Sequence, residues 1–321
     1  MKTRKLGSSG LNLSTVGLGT WPMAGTDRFG WGPQNDQDTI DTVHKALDLG
    51  VNWIDCAPIY GLGRAEIMIG KALKGVKKPI LATKALFMWN DKGIPQLRLD
   101  KWRVREQWEL SARSICVDYF DMYMIHWPFC AEYLEEAWET FVVLKKEGKI
   151  GHLGVSNFSV QQMEMLKPIH PVEFLEPPYS MIERGIEDEI IGYCGKNNIG
   201  IITYSSLQQG LLTGKAPDVS KFGPEDVRRR APQFIEPQLS LNLKFGQELE
   251  AFAKKSGKTA AQLAIAWNLR KPEVTSAITG SRNPAEIEDT AKASEITLTK
   301  TELDTIELML AKRKEALKPT K

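Results

Sequence analysis

The stretch NWIDCAPIYGLGRAE, residues 52–66, decides the fold. It reads as a buried strand that runs into a glycine-rich turn and then a helix, and it leaves Asp55 and Tyr60 at the strand's mouth. A carboxylate there is desolvated at a cost of several kcal/mol unless a partner compensates it. The partner has to come from elsewhere in the chain.

The same unit of strand, loop and helix recurs along the sequence. Short apolar runs stand at VGLGTW (16–21), NWIDCA (52–57), PILATKA (79–85), YFDMYMIH (119–126), GHLGVSN (151–157), FLEPPYS (174–180), GIITYSS (200–206) and TSAITG (275–280). Between them lie patterns of helical period such as DTIDTVHKALDLG and LEEAWETFVVLKKEGK. Near-continuous apolar strands separated by amphipathic helices indicate a parallel sheet covered on its faces. An open doubly wound sheet and a closed barrel both fit that pattern, but eight units in about 290 residues favour a (β/α)8 barrel. GLGTWP also lacks the third glycine of a GxGxxG dinucleotide turn. No interior linker breaks the rhythm, so residues 1–321 read as a single (β/α)8 domain. KTRKLGSSGLNLS forms a hairpin over the barrel's bottom, residues 210–243 interrupt the pattern after strand seven, and TKTELDTIELMLA adds a C-terminal helix.

Composition narrows the function. Forty-two basic and 40 acidic residues leave a net charge of +2 with the signs interspersed, which argues against a nucleic-acid face. The polar N-terminus and the absence of long apolar windows point to a cytoplasmic protein without a membrane partner. Cys56, Cys116, Cys130 and Cys194 form no CxxC pair, so neither a zinc site nor a disulfide framework is expected. GLLTGK is one residue short of a phosphate-loop motif, and the run Arg228–Arg230 reads as a solvated stretch.

In a barrel of this kind chemistry sits at the C-terminal strand ends. Asp55 and Tyr60 follow strand two, Lys84 closes strand three and His126 closes strand four. A lysine within ILATKAL is buried and needs an acid, which Asp55 supplies. The ammonium is expected to lower the pKa of the Tyr60 phenol, and His126 to polarise a carbonyl through a hydrogen bond. The set delivers a proton and holds no strong nucleophile, so a hydride has to come from a cofactor. A metal-dependent hydrolase would need several convergent His and Asp ligands, and one strand-end histidine does not provide them.

Taken together, VGLGTW, IDCAPIYGLG, ATK, MIHWP, GVSNFS, TYSSL and ITGSRNP give the chain, over nearly all its length, a resemblance to the aldo-keto reductase family. The resemblance implies hydride transfer between nicotinamide C4 and the carbonyl carbon of an aldehyde or ketone, or the reverse with the alcohol, and the polar loop AGTDRFGWGPQND (24–36) with its aromatics points to a sugar as one such substrate. Tyr60 is then the general acid/base, and Asp55, Lys84 and His126 complete the catalytic set. It further implies an extended dinucleotide held by Gly19, Thr20, Trp21 and Asp55 near the nicotinamide. Ser156, Asn157 and Glu176 would meet its carboxamide and Tyr204 its ring. Ser205, Leu207, Gln209, Gly210, Leu211 and Lys215 would wrap the pyrophosphate, and Gly280, Ser281, Arg282, Glu286 and Thr290 would hold the adenosine. Arg282 favours NADP, whereas Glu286 would repel a 2′-phosphate and favours NAD; NADP is placed ahead. Glu176, where relatives often carry glutamine, is an acceptor alone when ionised and cannot then donate a hydrogen bond. The small-molecule substrate would lie among Trp21, Phe29, Trp31, Trp89, Trp127 and Phe129, apolar walls around a few polar groups. A second class stays open: a redox-sensing subunit that binds a dinucleotide and turns over very slowly.

Overall fold

The structure, a computed structural model, describes residues 1–25, 29–215, 217–224 and 226–317. Eight parallel strands, Val16–Gly19, Trp53–Asp55, Ile80–Ala85, Phe120–Ile125, Ile150–Ser156, Phe174–Glu176, Gly200–Thr203 and Val274–Gly280, pair in chain order. The last pairs with the first, closing the expected (β/α)8 barrel. Helices Asp36–Asp48, Arg64–Ala72, Lys101–Ile115, Leu134–Lys146, Val160–Leu166, Ile190–Asn197, Ala260–Asn268 and Pro284–Ala291 surround it. Two more, Gln238–Lys254 and Lys300–Ala316, pack on each other, and Arg313 Nε donates to Asn242 Oδ1 across them at 2.7 Å.

Alternation along each strand sorts the side chains between two cores. Trp53, Ala82, Met122, Met124, Phe174, Ile202 and Ile278 fill the barrel's interior, while their neighbours Ile54, Leu81, Tyr123, Val155 and Ile201 pack outward in the larger core under the helices. The interior is crowded enough to demand glycine opposite its largest rings. A Cβ at Gly17 would lie 2.2 Å from the Trp53 ring, and one at Gly154 would lie 2.2 Å from the ring of Phe174. Trp53 Nε1 satisfies itself on Ser14 O at 3.2 Å and Ser276 Oγ at 3.1 Å.

The bottom is closed as expected. Thr3–Lys5 and Asn12–Ser14 form an antiparallel hairpin, and its Leu6 and Leu13 enter the interior core fully buried. The Arg4 guanidinium fastens it to the carbonyls of Leu269, Lys271 and Val274, the first two at 2.9 and 3.1 Å.

Three local readings are corrected. The strand read over 174–180 ends at Glu176, because Pro177 and Pro178 cannot donate to a ladder. An unforeseen hairpin, Phe87–Trp89 with Pro95–Leu97, follows the third strand. The interruption over 210–243 comprises 3-10 turns at Val219–Lys221, Val227–Arg230 and Pro232–Phe234, and then the start of the helix at Gln238.

Candidate active site

Strand register brings the polar residues to one rim. Gly19 pairs with Asp55, Asp55 with Ala82, and Glu176 with Ser156, while Lys84 stands on the neighbouring third strand opposite Met124. Asp55, Lys84 and Glu176 are 3%, 0% and 2% exposed, so their charges meet each other rather than water. Lys84 Nζ donates to Asp55 Oδ1 in a short ion pair and to Cys56 O at 3.1 Å. A second carboxylate, Glu176 Oε1, lies 3.4 Å from the same nitrogen. This answers the question raised by Asp55: its compensating charge is Lys84.

Tyr60 leans over this pair, with Lys84 Nζ 5.3 Å from its ring centroid. His126 meets the Tyr60 ring edge-on at 6.0 Å, and Trp21 stacks on the other side at 6.1 Å. Phe87 packs edge-on against His126 at 5.4 Å. The His126 carbonyl accepts from Asn157 Nδ2 at 3.0 Å, and Asn157 Oδ1 accepts from Tyr204 OH at 2.7 Å. Asn157 takes the left-handed conformation, φ 65°, one of the few side chains suited to it.

Burial and charge set the protonation states. Burial works against the Lys84 ammonium, but Asp55 and Glu176 outweigh it and hold its pKa well above the ordinary lysine value. Burial, reinforced by Lys84, holds His126 well below the usual histidine value, so its imidazole is neutral. Burial raises Asp55 although Lys84 opposes the rise. Burial, and then the Asp55 charge, push Glu176 to about 8. Tyr60 corrects an expectation. Burial lifts its phenol well above the ordinary value, and Lys84 reduces that rise without reversing it. At neutral pH the phenol is therefore protonated.

These groups floor a cleft of about 1060 Å³. Gly19, Trp21, Asp55, Tyr60, His126, Ser156, Asn157, Glu176 and Tyr204 line its inner part. Ser205, Leu207, Gln209, Gly210, Lys215, Gly280, Arg282, Glu286 and Thr290 line its outer part, and Phe29, Trp31 and Trp127 wall it. Six expected residues are not in the lining. Lys84 is sealed behind Asp55, and Thr20 is buried with its hydroxyl on Asp55 O at 2.9 Å. Leu211 is in the core, Ser281 is fully buried with no partner for its Oγ, and Trp89 lies in the hairpin after strand three. Phe129 is exposed and stacks on Trp127 at 5.5 Å.

Residues not foreseen also contribute. Ile59 and Phe87 join the walls, and Glu250, Thr259 and Asp289 join the far end. Arg228, read as solvated, lies instead over the Trp31 ring at 4.8 Å and the Phe222 ring at 3.9 Å, paired with Asp226 at 2.6 Å. The Glu286 carboxylate accepts from Arg282 N at 2.7 Å and Asn283 Nδ2 at 3.1 Å. Arg282 Nε donates to Gln34 Oε1 at 3.1 Å.

The lining suits a nicotinamide dinucleotide. Glu176 Oε2 is buried at the cleft floor without a hydrogen-bond partner, beside the polar Ser156 and Asn157, as an amide-bearing ring would require. At the other end the helix Pro284–Ala291 opens beside the Arg282 guanidinium, while its own first turn lacks the Pro284 N–H, has Glu286 N capped by Asn283 Oδ1 at 3.1 Å and already carries the Glu286 carboxylate.

Comparison with known proteins agrees with this geometry. The sequence profile of the Aldo/keto reductase family matches residues 15–311. Aldo-keto reductase YhdN of Bacillus subtilis (strain 168) is 36% identical over 292 residues, 90% of this chain and 87% of that protein. The NADH-specific methylglyoxal reductase of Escherichia coli (strain K12) is 30% identical, covering 93% of this chain and 95% of its own length. The structure of a glycerol dehydrogenase from Gluconobacter oxydans superposes with a TM-score of 0.87 at 32% identity, over 99% of this chain and 98% of that one.

Proposed function

Because the chain belongs to the aldo/keto reductase family, and is therefore an oxidoreductase, we propose that it reduces small aldehydes and ketones with NAD(P)H and oxidises the corresponding alcohols in reverse. The observation that carries this reading is the buried Asp55–Lys84 pair beneath Tyr60, with neutral His126 edge-on to the phenol at the cleft floor. When bound, NAD(P)H supplies the hydride that the carbonyl carbon accepts.

The protein's own residues do the rest. Ser156, Asn157 and Glu176 hold the carboxamide, and Tyr204, fixed through Asn157, supports the ring face. Tyr60 gives its proton to the carbonyl oxygen. Burial keeps that proton on the phenol at neutral pH until it is transferred. Lys84 limits the cost of the phenolate left behind, and Asp55 keeps Lys84 in position. His126, as neutral imidazole, donates to the same oxygen and orients it. Trp21, Trp31, Phe29 and Phe87 exclude water from the reacting carbon. The relatives named for methylglyoxal and for glycerol point to small, oxygen-rich carbonyl compounds and polyols, sugars among them.

The test is Tyr60→Phe. Turnover of a methylglyoxal and glyceraldehyde panel should fall by roughly 10²–10⁴-fold, the range for loss of a general acid, while NAD(P)H affinity changes less than about twofold. A variant that keeps near-full turnover would remove Tyr60 from its role.

A further inference from the structure

Two carboxyl groups and one ammonium share the closed floor of the cleft. Asp55 takes Lys84 in a short ion pair, and Glu176 Oε1 stands 3.4 Å from the same nitrogen. Glu176 Oε2 is buried without a hydrogen-bond partner, Glu176 lines the cleft, and the Asp55 carboxyl is near enough to hydrogen-bond the Glu176 carboxyl when one of the two is protonated. A glutamine here would be neutral at every pH, whereas a glutamic acid brings a second potential charge that Lys84 cannot also neutralise. From these positions we infer that Glu176 is a proton-carrying positioning residue: it is neutral beside reduced nicotinamide and ionised beside oxidised nicotinamide, and so makes the choice between the two cofactor forms depend on pH. The inference rests on the proposed reading that Ser156, Asn157 and Glu176 face the nicotinamide.

The charge logic is direct. The nicotinamide ring gains a positive charge on oxidation. An ionised Glu176 attracts that cation and adds only a buried, uncompensated charge against the neutral reduced ring. The groups that face Glu176 are Asp55 from the second strand, Lys84 from the third, Tyr60 from the loop after the second and Tyr204 after the seventh. Ser156 at the end of the adjoining fifth strand and Asn157 just after it carry no charge. Lys84 offsets the Asp55 charge only in part, so Asp55 still adds to the rise at Glu176, and both phenols lie above their ordinary values and stay neutral. Glu176, displaced upward to about 8, is the group left to titrate in the working range.

The experiment measures dissociation constants of NADH, NADPH, NAD⁺ and NADP⁺ by fluorescence and competition, for the wild type and for Glu176→Gln. From about pH 6.5 to about pH 9.5, wild-type affinity for the oxidised form relative to the reduced form should rise about tenfold, the equivalent of one pKa unit of differential interaction. In Glu176→Gln the same ratio should stay within about twofold. Tyr60→Phe, which removes the other proton at the rim, should keep the rise. A constant ratio in the wild type, an equal rise in Glu176→Gln, or loss of the rise in Tyr60→Phe would overturn the assignment. Failure of the wild type to bind any dinucleotide at any pH would overturn the underlying function as well.

Discussion

At the scale of single residues burial decides the states of Tyr60 and His126, whereas neighbouring charge decides that of Lys84. Lys84 does oppose the desolvation of Tyr60, as its place in the sequence suggests, yet the phenol still ends above its ordinary value. The strand-end residues Asp55, Lys84 and His126 were legible because each closes an apolar run, and in a parallel barrel that position faces the chemistry. Arg228, Glu250 and Asp289 were not legible, because tertiary packing of the insertion and the later helices brings them to the cleft and no local period marks them. Glu286 and Arg282 both line the outer cleft, and in the proposed reading they would oppose one another over a 2′-phosphate. Glu286→Gln should shift the NADPH-to-NADH affinity ratio toward NADPH by roughly fivefold, about 1 kcal/mol of removed repulsion. An unchanged ratio in a fluorescence titration would exclude Glu286 from cofactor choice.

At the scale of elements, docking turns on buried details that a strand-and-helix reading passes over. Gly17 sits against the Trp53 ring, and its lack of a side chain is what admits that ring to the interior. Gly17→Ala should cost about 1–3 kcal/mol in urea unfolding, and combined with Trp53→Leu the losses should be less than additive. Additive losses would mean the two residues do not press on each other. The helix Arg64–Ala72 turns Glu66 inward, 1% exposed, to accept from Thr83 Oγ1 at 2.8 Å on the third strand. Its inward placement follows from sharing a face with Ile69, three positions on. Burial raises the Glu66 pKa to about 7 from 4.5. A folded-state value above the unfolded one contributes stability that is complete below the unfolded value, here pH 4.5, and is lost as pH rises through about 7. Between about pH 5 and about pH 8 the wild type should therefore lose up to ~3 kcal/mol relative to Glu66→Gln, read from denaturation midpoints. Parallel pH profiles for the two proteins would contradict this.

At the scale of the whole molecule, the closed barrel was legible from eight repeats of one period and the absence of a dinucleotide turn, and closure in chain order follows. The extents of the sixth strand and of the insertion were less legible, since consecutive prolines and short turns carry no period to read. Among the described residues no helix is long and apolar enough to cross a membrane.

The hairpin stopper has one more consequence, and it concerns time. Arg4 finds its acceptors only at Leu269, Lys271 and Val274, 265 to 270 residues further along the chain, and the first barrel strand finds its second neighbour only when Val274–Gly280 emerges. The seam of the cylinder thus waits until Val274–Gly280 has been made, and until then the nascent chain exposes an unpaired strand edge. Chains stopped before residue 274 should be degraded by protease as quickly as an unfolded polypeptide; a resistant fragment of that length would show that the cylinder can hold itself open.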